Sequence, residues 1–211
     1  MLIDLHVHTR NYSGCSDIEI KDLIERAPAV GLAGVVLTEH AGLWPADKLA
    51  PWRERAARSG LLVLAGQEVT CLSRGRRWDF LVFGLERGLA SGPSPQDLIR
   101  RVHGEGGVIV AAHPYKPSRL GGGYSGPGDE IMNLEVDAIE LFHPDQDQAA
   151  RNRIMAVARN TGRPLTGGSD AHELFQLGRY ATKFLTPVTD LVGLISAIKK
   201  RTIEPVNGTG R

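Results

Sequence analysis

The sequence predicts an α/β protein in which a closed or nearly closed barrel of about seven strands forms a single domain. Three observations support this class. The chain has 211 residues, a length typical of one fairly large domain. Apolar runs alternate with helical patterns, and the runs are nearly continuous, as in strands that are buried on both faces. The chain shows no internal repeat and no division into halves, which favours a barrel over an open doubly wound sheet.

The elements follow in order along the chain. Apolar runs of strand length, bounded by turn residues, predict strands at 1–7, 34–37, 61–69, 78–85, 108–112, 137–142, 164–167 and 179–185. Apolar residues at helical spacing predict helices at 19–30, 46–59, 93–104, 146–160 and 189–200. Gly31 and Gly60 are stop signals for the first two helices, and Ser94 before Pro95 is an N-cap for the third. The long segment 114–129, with its Gly121-Gly122-Gly123 run, is expected to be a lid or specificity loop.

Charge and composition exclude several classes of protein. Lys plus Arg number 25 and Asp plus Glu 24, which gives a formal net charge of +1. A net charge this small does not indicate a surface that binds nucleic acid or an anionic membrane. Cys15 and Cys71 are too few for a disulfide framework, and we see no signal peptide and no membrane span. We therefore expect a cytoplasmic protein with one domain at 1–205 and a short tail at 206–211. The sequence does not fix the oligomeric state.

Six of the seven histidines fall where predicted strands end, at the place where barrel enzymes build their sites. They are His6, His8, His40, His113, His143 and His172. Glu68 and Asp170 lie at two further strand ends. So many polar groups at one mouth would be costly unless something binds them. His103 lies inside a helix and is expected to be structural or solvent-facing.

The residue types predict a centre of two or three divalent cations. Imidazoles and carboxylates without a thiolate pair suit Zn, Mn or Fe better than Ca or Mg. Paired ions of this kind clamp phosphoryl oxygens and generate a metal-bound hydroxide near neutral pH, so no separate protein nucleophile is required. A lone cysteine near the mouth, Cys15, is interpreted as a bystander.

The motifs resemble those of the polymerase-and-histidinol-phosphatase (PHP) superfamily. They are Asp-Leu-His-Val-His-Thr at 4–9, Thr-Glu-His at 38–40, Gln-Glu at 67–68, Ala-His-Pro at 112–114 and Gly-Ser-Asp-Ala-His at 168–172. The resemblance covers nearly the whole chain. It implies a distorted seven-stranded β/α barrel and metal-dependent hydrolysis of phosphate esters, and it does not choose the substrate.

The resemblance also implies the ligands. His6, His8, Glu68 and Asp170 would hold the first ion, and Glu68 would bridge to a second ion completed by His113 and His143. His40 and His172 would face a third ion or act as proton donors. No histidine follows His8-Thr9 soon enough to ligate the third ion, so either Asp17 substitutes or the centre holds two ions. Glu39 replaces the commoner aspartate and either holds an imidazole in position or points away.

These features predict hydrolysis of a phosphomonoester or a short-oligonucleotide phosphodiester. Lys116 and Arg179 are the candidate cations for the substrate phosphate. The run Arg74, Arg76 and Arg77 is an alternative, although such a run is more often a solvated turn. Tyr115 and Tyr124 lie where a ring could stack. The expected partner is a small phosphorylated substrate, not a long duplex or a membrane. Two alternatives stay open: hydrolysis of C–N or lactone bonds, and a catalytically silent metal-binding domain.

Overall fold

A computed structural model describes residues 1–117 and 124–208, and within them nine strands form one sheet. The strands are β1 (Leu2–Val7), β2 (Gly34–Glu39), β3 (Leu62–Ser73), β4 (Arg76–Phe83), β5 (Val108–Ala111), β6 (Ala138–Phe142), β7 (Leu165–Gly167), β8 (Tyr180–Phe184) and β9 (Ile203–Asn207). Eight of them match the predicted strands to within a few residues.

Five α-helices within the described residues pack around this sheet. They are α1 (Ile20–Ala29), α2 (Ala46–Ala57), α3 (Pro95–Gly104), α4 (Gln148–Thr161) and α5 (Leu191–Lys199), and all five were predicted. The predicted cap of α3 is confirmed, because the Ser94 side chain accepts a hydrogen bond from the backbone N–H of Asp97. Short 3₁₀ helices cover Gly128–Asn133 and Leu174–Gln176.

The sheet curls into a nearly closed barrel of order β7-β6-β5-β4-β3-β2-β1-β8-β9. The gap beyond β7 is bridged by Thr182 of β8, whose hydroxyl accepts from the backbone N–H of Gly167 and donates to its carbonyl oxygen, both at 3.0 Å. The barrel class is thus confirmed, although the count of seven strands is not.

Continuous apolar runs that alternate with helices predict a parallel sheet buried on both faces, and this prediction is wrong at two places. β4 runs antiparallel to β3 and β5, and β8 runs antiparallel to β1 and β9. The first departure follows from a tight hairpin, in which Arg74 (φ 50°) and Gly75 (φ 72°) both take the left-handed conformation that such turns need. The second involves a strand that was not predicted: β9 pairs antiparallel with β8 and includes Val206 and Asn207, which were predicted to begin the tail. Residues 209–211 of that tail lie outside the described residues.

The apolar core fixes which end of the barrel is open. Leu5, Val36, Leu64 and Leu81 belong to a cluster of buried side chains that α5 joins through Leu194 and Ile198. The same cluster contains Val108 at the start of β5, and Lys199 of α5 donates to the carbonyl oxygen of Gly106, just before β5, at 2.8 Å, so α5 lies at the amino end of this strand. The opposite end of the barrel is left for the polar residues. No helix of the described ranges, 1–117 and 124–208, is long and apolar enough to cross a membrane.

Candidate metal centre

The predicted ligands converge at the open end of the barrel. His6 lies one residue before the end of β1, and Glu68 lies within the long strand β3. His113, His143 and Asp170 follow β5, β6 and β7. The backbone is unusual at two of these positions, since His113 (φ 26°) and Asp170 (φ 49°) take positive φ values. Such a conformation costs a non-glycine residue about 1–3 kcal/mol and is concentrated at functional sites.

The first group matches the four residues expected for the first ion. Ligand atoms of His6, His8, Glu68 and Asp170 all lie within 4.8 Å of one another. His6 Nε2 is 3.4 Å from Glu68 Oε2 and 3.3 Å from Asp170 Oδ1. His8 Nε2 is 3.3 Å and 3.1 Å from the same two oxygens. Two imidazole nitrogens therefore face two carboxylate oxygens around one point.

The second group lies beside the first. His113 Nε2 is 3.0 Å from Glu68 Oε1, so the two oxygens of Glu68 face different histidines, as a bridging carboxylate requires. The His113 and His143 rings are 4.6 Å apart, and ligand atoms of His6, His113 and His143 lie within 4.8 Å of one another. His143 Nε2 lies 3.0 Å from Asp170 Oδ2.

A third group forms the outer edge of the centre. It contains His8, His40 and His172, whose ligand atoms also lie within 4.8 Å of one another. Asp17, offered from the sequence as a substitute ligand, is exposed, and its backbone N–H donates to the carbonyl oxygen of His172. Cys15 lies at the edge of this group, with Sγ 3.2 Å from His172 Nε2.

Hydrogen bonds orient the histidines of the first ion position. His6 Nδ1 lies 3.0 Å from Glu140 Oε1, and because a buried carboxylate accepts, His6 carries its proton on Nδ1. The Ser13 hydroxyl donates to Glu39 at 2.6 Å, so it accepts from His8 Nδ1 at 3.2 Å. In both rings the lone pair of Nε2 is left to face the centre.

Glu39 therefore does not point away. It is fully buried and accepts hydrogen bonds from the backbone and hydroxyl of Thr9, from Ser13 and from Trp44 Nε1 at 2.8 Å. Through Ser13, which also accepts from the backbone N–H of His40 at 3.0 Å, it holds His8 in place. Of the two alternatives left open by the sequence, the structure supports the orienting one.

The donor set fits divalent cations. Among the described residues, His6 Nε2, His8 Nε2 and His113 Nδ1 are buried nitrogen atoms without a hydrogen-bond partner. Unpaired buried polar atoms are rare because they are costly, and here two of the three face carboxylate oxygens. A cation between them would satisfy nitrogen lone pairs and carboxylate charge together.

The electrostatics of the group are strongly coupled. Burial alone lowers the pKa of His8, but Asp170 and Glu68 raise it to about 9. Burial opposes ionisation of Glu68 and Asp170, yet the facing histidines hold the pKa of both carboxyls well below its usual range. The imidazole nitrogens thus lie close to ionised carboxylates. Protons compete with cations for these ligand atoms.

Asp4 forms the floor beneath these residues. Its buried carboxylate accepts from the backbone N–H groups of His6, Ser169 and Gly178 at 3.3, 3.0 and 3.1 Å. Burial raises its pKa to about 6, although these bonds oppose the shift. Asp4 thereby ties β1 to the loops on either side of Asp170.

The mouth is a cavity of about 890 Å³ whose cationic rim differs in part from the prediction. Lys116 lines it, with Nζ 3.1 Å from Asp145 and 3.3 Å from Asp170. Arg179 does not line it: this residue is exposed, and its guanidinium lies over the Tyr180 ring. Arg76 and Arg77 line the cavity instead, because the β3–β4 hairpin extends over the mouth.

The two tyrosines predicted near the mouth lie in different places. Tyr124 lines the cavity, whereas Tyr115 is buried beneath it and donates to Asp129 at 2.6 Å. The Gly121-Gly122-Gly123 run lies outside the described residues. His103 contacts Asp137 at 2.9 Å on the surface, as expected.

Sequence reasoning missed two carboxylates of the centre. Glu140 lies within β6, and the sequence predicted no role for it; it accepts from His6 and from the backbone N–H of His113 at 2.8 Å. Asp79 lies near Glu68 and His113, at the start of β4. The sequence feature that marks Asp79 is its position as a single acid in an apolar strand. Because β4 runs antiparallel to its neighbours, its start and not its end lies at the mouth.

Comparisons with known proteins agree with this architecture. A protein family described as PHP-associated matches residues 148–203. The uncharacterized protein MJ1587 of Methanocaldococcus jannaschii is 25% identical over 153 residues, which span 68% of this chain and 82% of that protein.

Solved structures share the fold at low sequence identity. A Bifidobacterium adolescentis protein to which metal-dependent phosphoesterase activity is attributed superposes with a TM-score of 0.70, 19% identity and 96% coverage of both chains. A two-domain Bacteroides vulgatus protein containing a predicted PHP-like metal-dependent phosphoesterase gives 0.71 and 17% identity, over 99% of this chain and 65% of that one. An amidohydrolase from Chromobacterium violaceum gives 0.65 and 18% identity, with 97% of each chain covered.

The fold and the clustered ligands define a barrel of the PHP type. The chain is thus similar to PHP-type proteins in fold, and its residues 148–203 match the PHP-associated family.

Proposed function

We propose that this protein is a metal-dependent phosphoesterase that hydrolyses a small phosphomonoester. The observation that carries the proposal is the set of unpaired, buried imidazole nitrogens that face carboxylates at the floor of a cavity with a cationic rim. The proposed ligands of two divalent ions, zinc, manganese or iron, are His6, His8, Glu68, Asp170, His113 and His143. The phosphoesterase activity attributed to the Bifidobacterium and Bacteroides neighbours is consistent with this chemistry.

Divalent ions held there would polarise phosphoryl oxygens and lower the pKa of water, which supplies a nucleophile at neutral pH. The chain's own residues contribute positioning and charge. Glu140 and Ser13 hold the lone pairs of His6 and His8 toward the centre. Lys116 adds a cation at the cavity wall, where it would attract the dianionic head of a phosphomonoester.

His40 and His172 fit the role of ligands better than that of proton donors. Burial lowers the pKa of His40 to about 4 and lowers that of His172, and the neighbouring His8 reinforces both shifts. Both rings are then neutral near pH 7. A neutral imidazole offers a lone pair to a cation but is a poor general acid.

The cavity and the net charge support a small substrate. A volume of about 890 Å³ accommodates a compact molecule. The charge of +1 gives no broad basic surface for a long duplex. A short oligonucleotide is the second candidate, since Arg76, Arg77 and Tyr124 line the cavity and offer cations and a ring face. Both cysteines are free, which agrees with the proposed cytoplasmic location.

The test is hydrolysis of p-nitrophenyl phosphate, a panel of phosphomonoesters and short oligonucleotides by protein loaded with Mn²⁺ or Zn²⁺. Asp170→Ala and Glu68→Ala are expected to abolish turnover and to lower the bound-metal content while the circular dichroism spectrum is unchanged. Asp47→Ala, on the exposed face of α2, is the control and keeps full activity. Chelation abolishes activity, and added Mn²⁺ or Zn²⁺ restores it.

Turnover that survives chelation, or that survives in both alanine variants at full metal loading, contradicts the proposal. Amide and lactone substrates in the same panel test the alternative chemistry. Their hydrolysis without any phosphate release, and without inhibition by inorganic phosphate, would assign the centre to that class. Metal binding without turnover of any substrate in the panel would favour a silent binding domain.

A further inference from the structure

A second cavity, with a volume of about 420 Å³, lies beside α2. It shares no lining residue with the cavity over the metal centre. Its apolar walls come from Leu43 and Trp44 before α2, from Leu85 after β4 and from Leu191 at the start of α5. A volume within about 300–1,000 Å³ and predominantly apolar walls are typical of sites for small molecules.

Two walls of this cavity are fixed to the rest of the fold. Gln67 is buried in β3, and its side-chain amide donates to the carbonyl oxygen of Leu89 at 2.7 Å and accepts from the Leu89 N–H at 2.8 Å. Gly88 lies directly against the facing wall, because a Cβ atom there would be 2.6 Å from the backbone nitrogen of Leu43. The shape of the cavity is therefore set by the fold before any molecule enters it.

Arg53 gives the cavity a cation with unused hydrogen-bonding capacity. Its Nε donates to the carbonyl oxygen of Val63 at 3.0 Å, and within the described ranges its two Nη atoms have no hydrogen-bond partner and form no ion pair. Burial lowers the pKa of this guanidinium, and no carboxylate opposes the shift. Arg87 adds a cation and Glu86 an anion at the exposed rim, so the lining is net positive. A partly desolvated guanidinium in this state is stabilised by an anion.

One wall of the cavity also belongs to a hydrogen-bond chain that reaches the metal centre. Trp44 Nε1 donates to Glu39 at 2.8 Å, and the Ser13 hydroxyl donates to the same carboxylate at 2.6 Å. Ser13 in turn lies 3.2 Å from His8 Nδ1. A molecule packed on the Trp44 ring would hold the indole where this chain needs it, so three hydrogen bonds link the cavity to a candidate metal ligand.

We propose that this cavity is an effector site for a small carboxylate with an apolar body, whose binding strengthens metal binding at the centre. The planar carboxylate would accept hydrogen bonds from the Nη atoms of Arg53, while the body covers Trp44 and Leu191. By linkage, bound metal raises the affinity for the carboxylate by the same factor. The inference goes beyond the proposed function and needs only that the centre binds metal.

Phenylacetate is the probe, and the indole N–H resonance of Trp44 in isotope-labelled protein stripped of metal is the readout. Titration is expected to shift this resonance and to leave that of Trp78, which is buried in β4 away from the cavity, unchanged. Phenylacetamide has nearly the same shape without the charge, so it binds about tenfold more weakly or worse.

Three variants locate the bound probe. Arg53→Met keeps the apolar stem and removes the charge-assisted bond, so it weakens binding about tenfold or more. Arg58→Met is the matched control, because Arg58 is exposed at the end of α2 and does not line the cavity; it binds as the wild type does. Ala46→Phe fills the cavity from an exposed position at the start of α2 and abolishes binding without loss of core packing.

Calorimetric titration of Mn²⁺ in saturating phenylacetate tests the coupling. The Kd for Mn²⁺ is expected to fall about fivefold or more in the wild type. The same concentration of phenylacetate leaves the Kd of Arg53→Met unchanged, which also controls for direct contact between phenylacetate and Mn²⁺.

The outcomes separate the site, its coupling and the proposed function. A Trp44 resonance that does not respond to millimolar phenylacetate, equal affinity for phenylacetate and phenylacetamide, or full affinity in Ala46→Phe overturns the site. An Mn²⁺ affinity that bound phenylacetate does not change overturns the effector role. Coupled binding of both ligands without hydrolysis of any phosphate ester refutes the proposed function and leaves this inference standing, whereas normal hydrolysis without a response to phenylacetate does the reverse.

Discussion

Replacing Glu140 with glutamine tests how the centre keeps its histidines in the metal-binding state. Glu140 is fully buried, and its two oxygens accept from His6 Nδ1 at 3.0 Å and from the backbone N–H of His113 at 2.8 Å. Glutamine is nearly the same size but has one acceptor oxygen for these two donors. In either orientation of the amide, one donor faces an NH₂ group.

The magnitude follows from which donor loses its acceptor. An unsatisfied buried donor costs about 1–3 kcal/mol, which lowers the stability of the folded protein. If the His6 proton moves from Nδ1 to Nε2 in this variant, the lone pair of the ring lies on Nδ1. It then no longer faces Glu68 and Asp170. Loss of an orienting partner of this kind weakens metal binding about 10–100-fold, or about 1.4–2.7 kcal/mol.

The assay is a calorimetric titration of Mn²⁺ or Zn²⁺ into metal-free Glu140→Gln, with NMR of the imidazole nitrogens to identify the protonated atom of His6. Glu25→Gln is the control, because Glu25 on α1 is exposed and pairs with Arg55 at the surface. The control binds metal as the wild type does. Affinity of Glu140→Gln within about twofold of the wild type, with His6 still protonated on Nδ1, would refute the orienting role.

Three further predictions follow from the same geometry. In Gly168→Ala the new methyl group would lie 2.4 Å from His6 Cβ, so we expect a loss of about 1–3 kcal/mol in chemical denaturation. Gly104→Ala is the control: no atom lies within 4 Å of its new methyl group, so its free energy of unfolding is expected to be unchanged. Metal-free protein becomes less stable as the pH rises from 6.5 to about 9. The raised pKa of His8 means that its stabilising contribution is present below 6.5 and is lost, on the order of 3 kcal/mol, above 9. Melting temperatures in chelator across this range check the sign, and a rising curve would contradict it. Lys116→Ala raises the KM for phosphomonoesters about tenfold or more, by loss of a charge-assisted bond, whereas an unchanged KM would remove Lys116 from substrate binding.

The fold was predictable where local signals were strong. Apolar runs and helix end signals located eight strands and five helices, including the Ser94 cap. Strand direction was not predictable, because a buried antiparallel strand such as β4 is as continuously apolar as a parallel one. The last strand, Ile203–Asn207, contains Pro205 and only two aliphatic side chains, so its sequence lacks the apolar run that marks the other strands.

The candidate site was predictable at the ligands and less so around them. Histidines at strand ends are conspicuous, and the structure brings all six together. Glu140 and Asp79 are single acids within apolar strands, and only the three-dimensional register shows that they face the centre. Arg179 was misplaced for a related reason: proximity to a strand start did not indicate which side of the barrel its side chain would take.

Anomalous diffraction from crystals grown with Mn²⁺ or Zn²⁺ tests the central claim most directly, because it locates each ion independently of activity. We predict one peak among His6, His8, Glu68 and Asp170, and a second peak within bonding distance of Glu68, His113 and His143. Crystals soaked in saturating metal that show no anomalous peak at this end of the barrel, with the same side chains in place, would contradict the account.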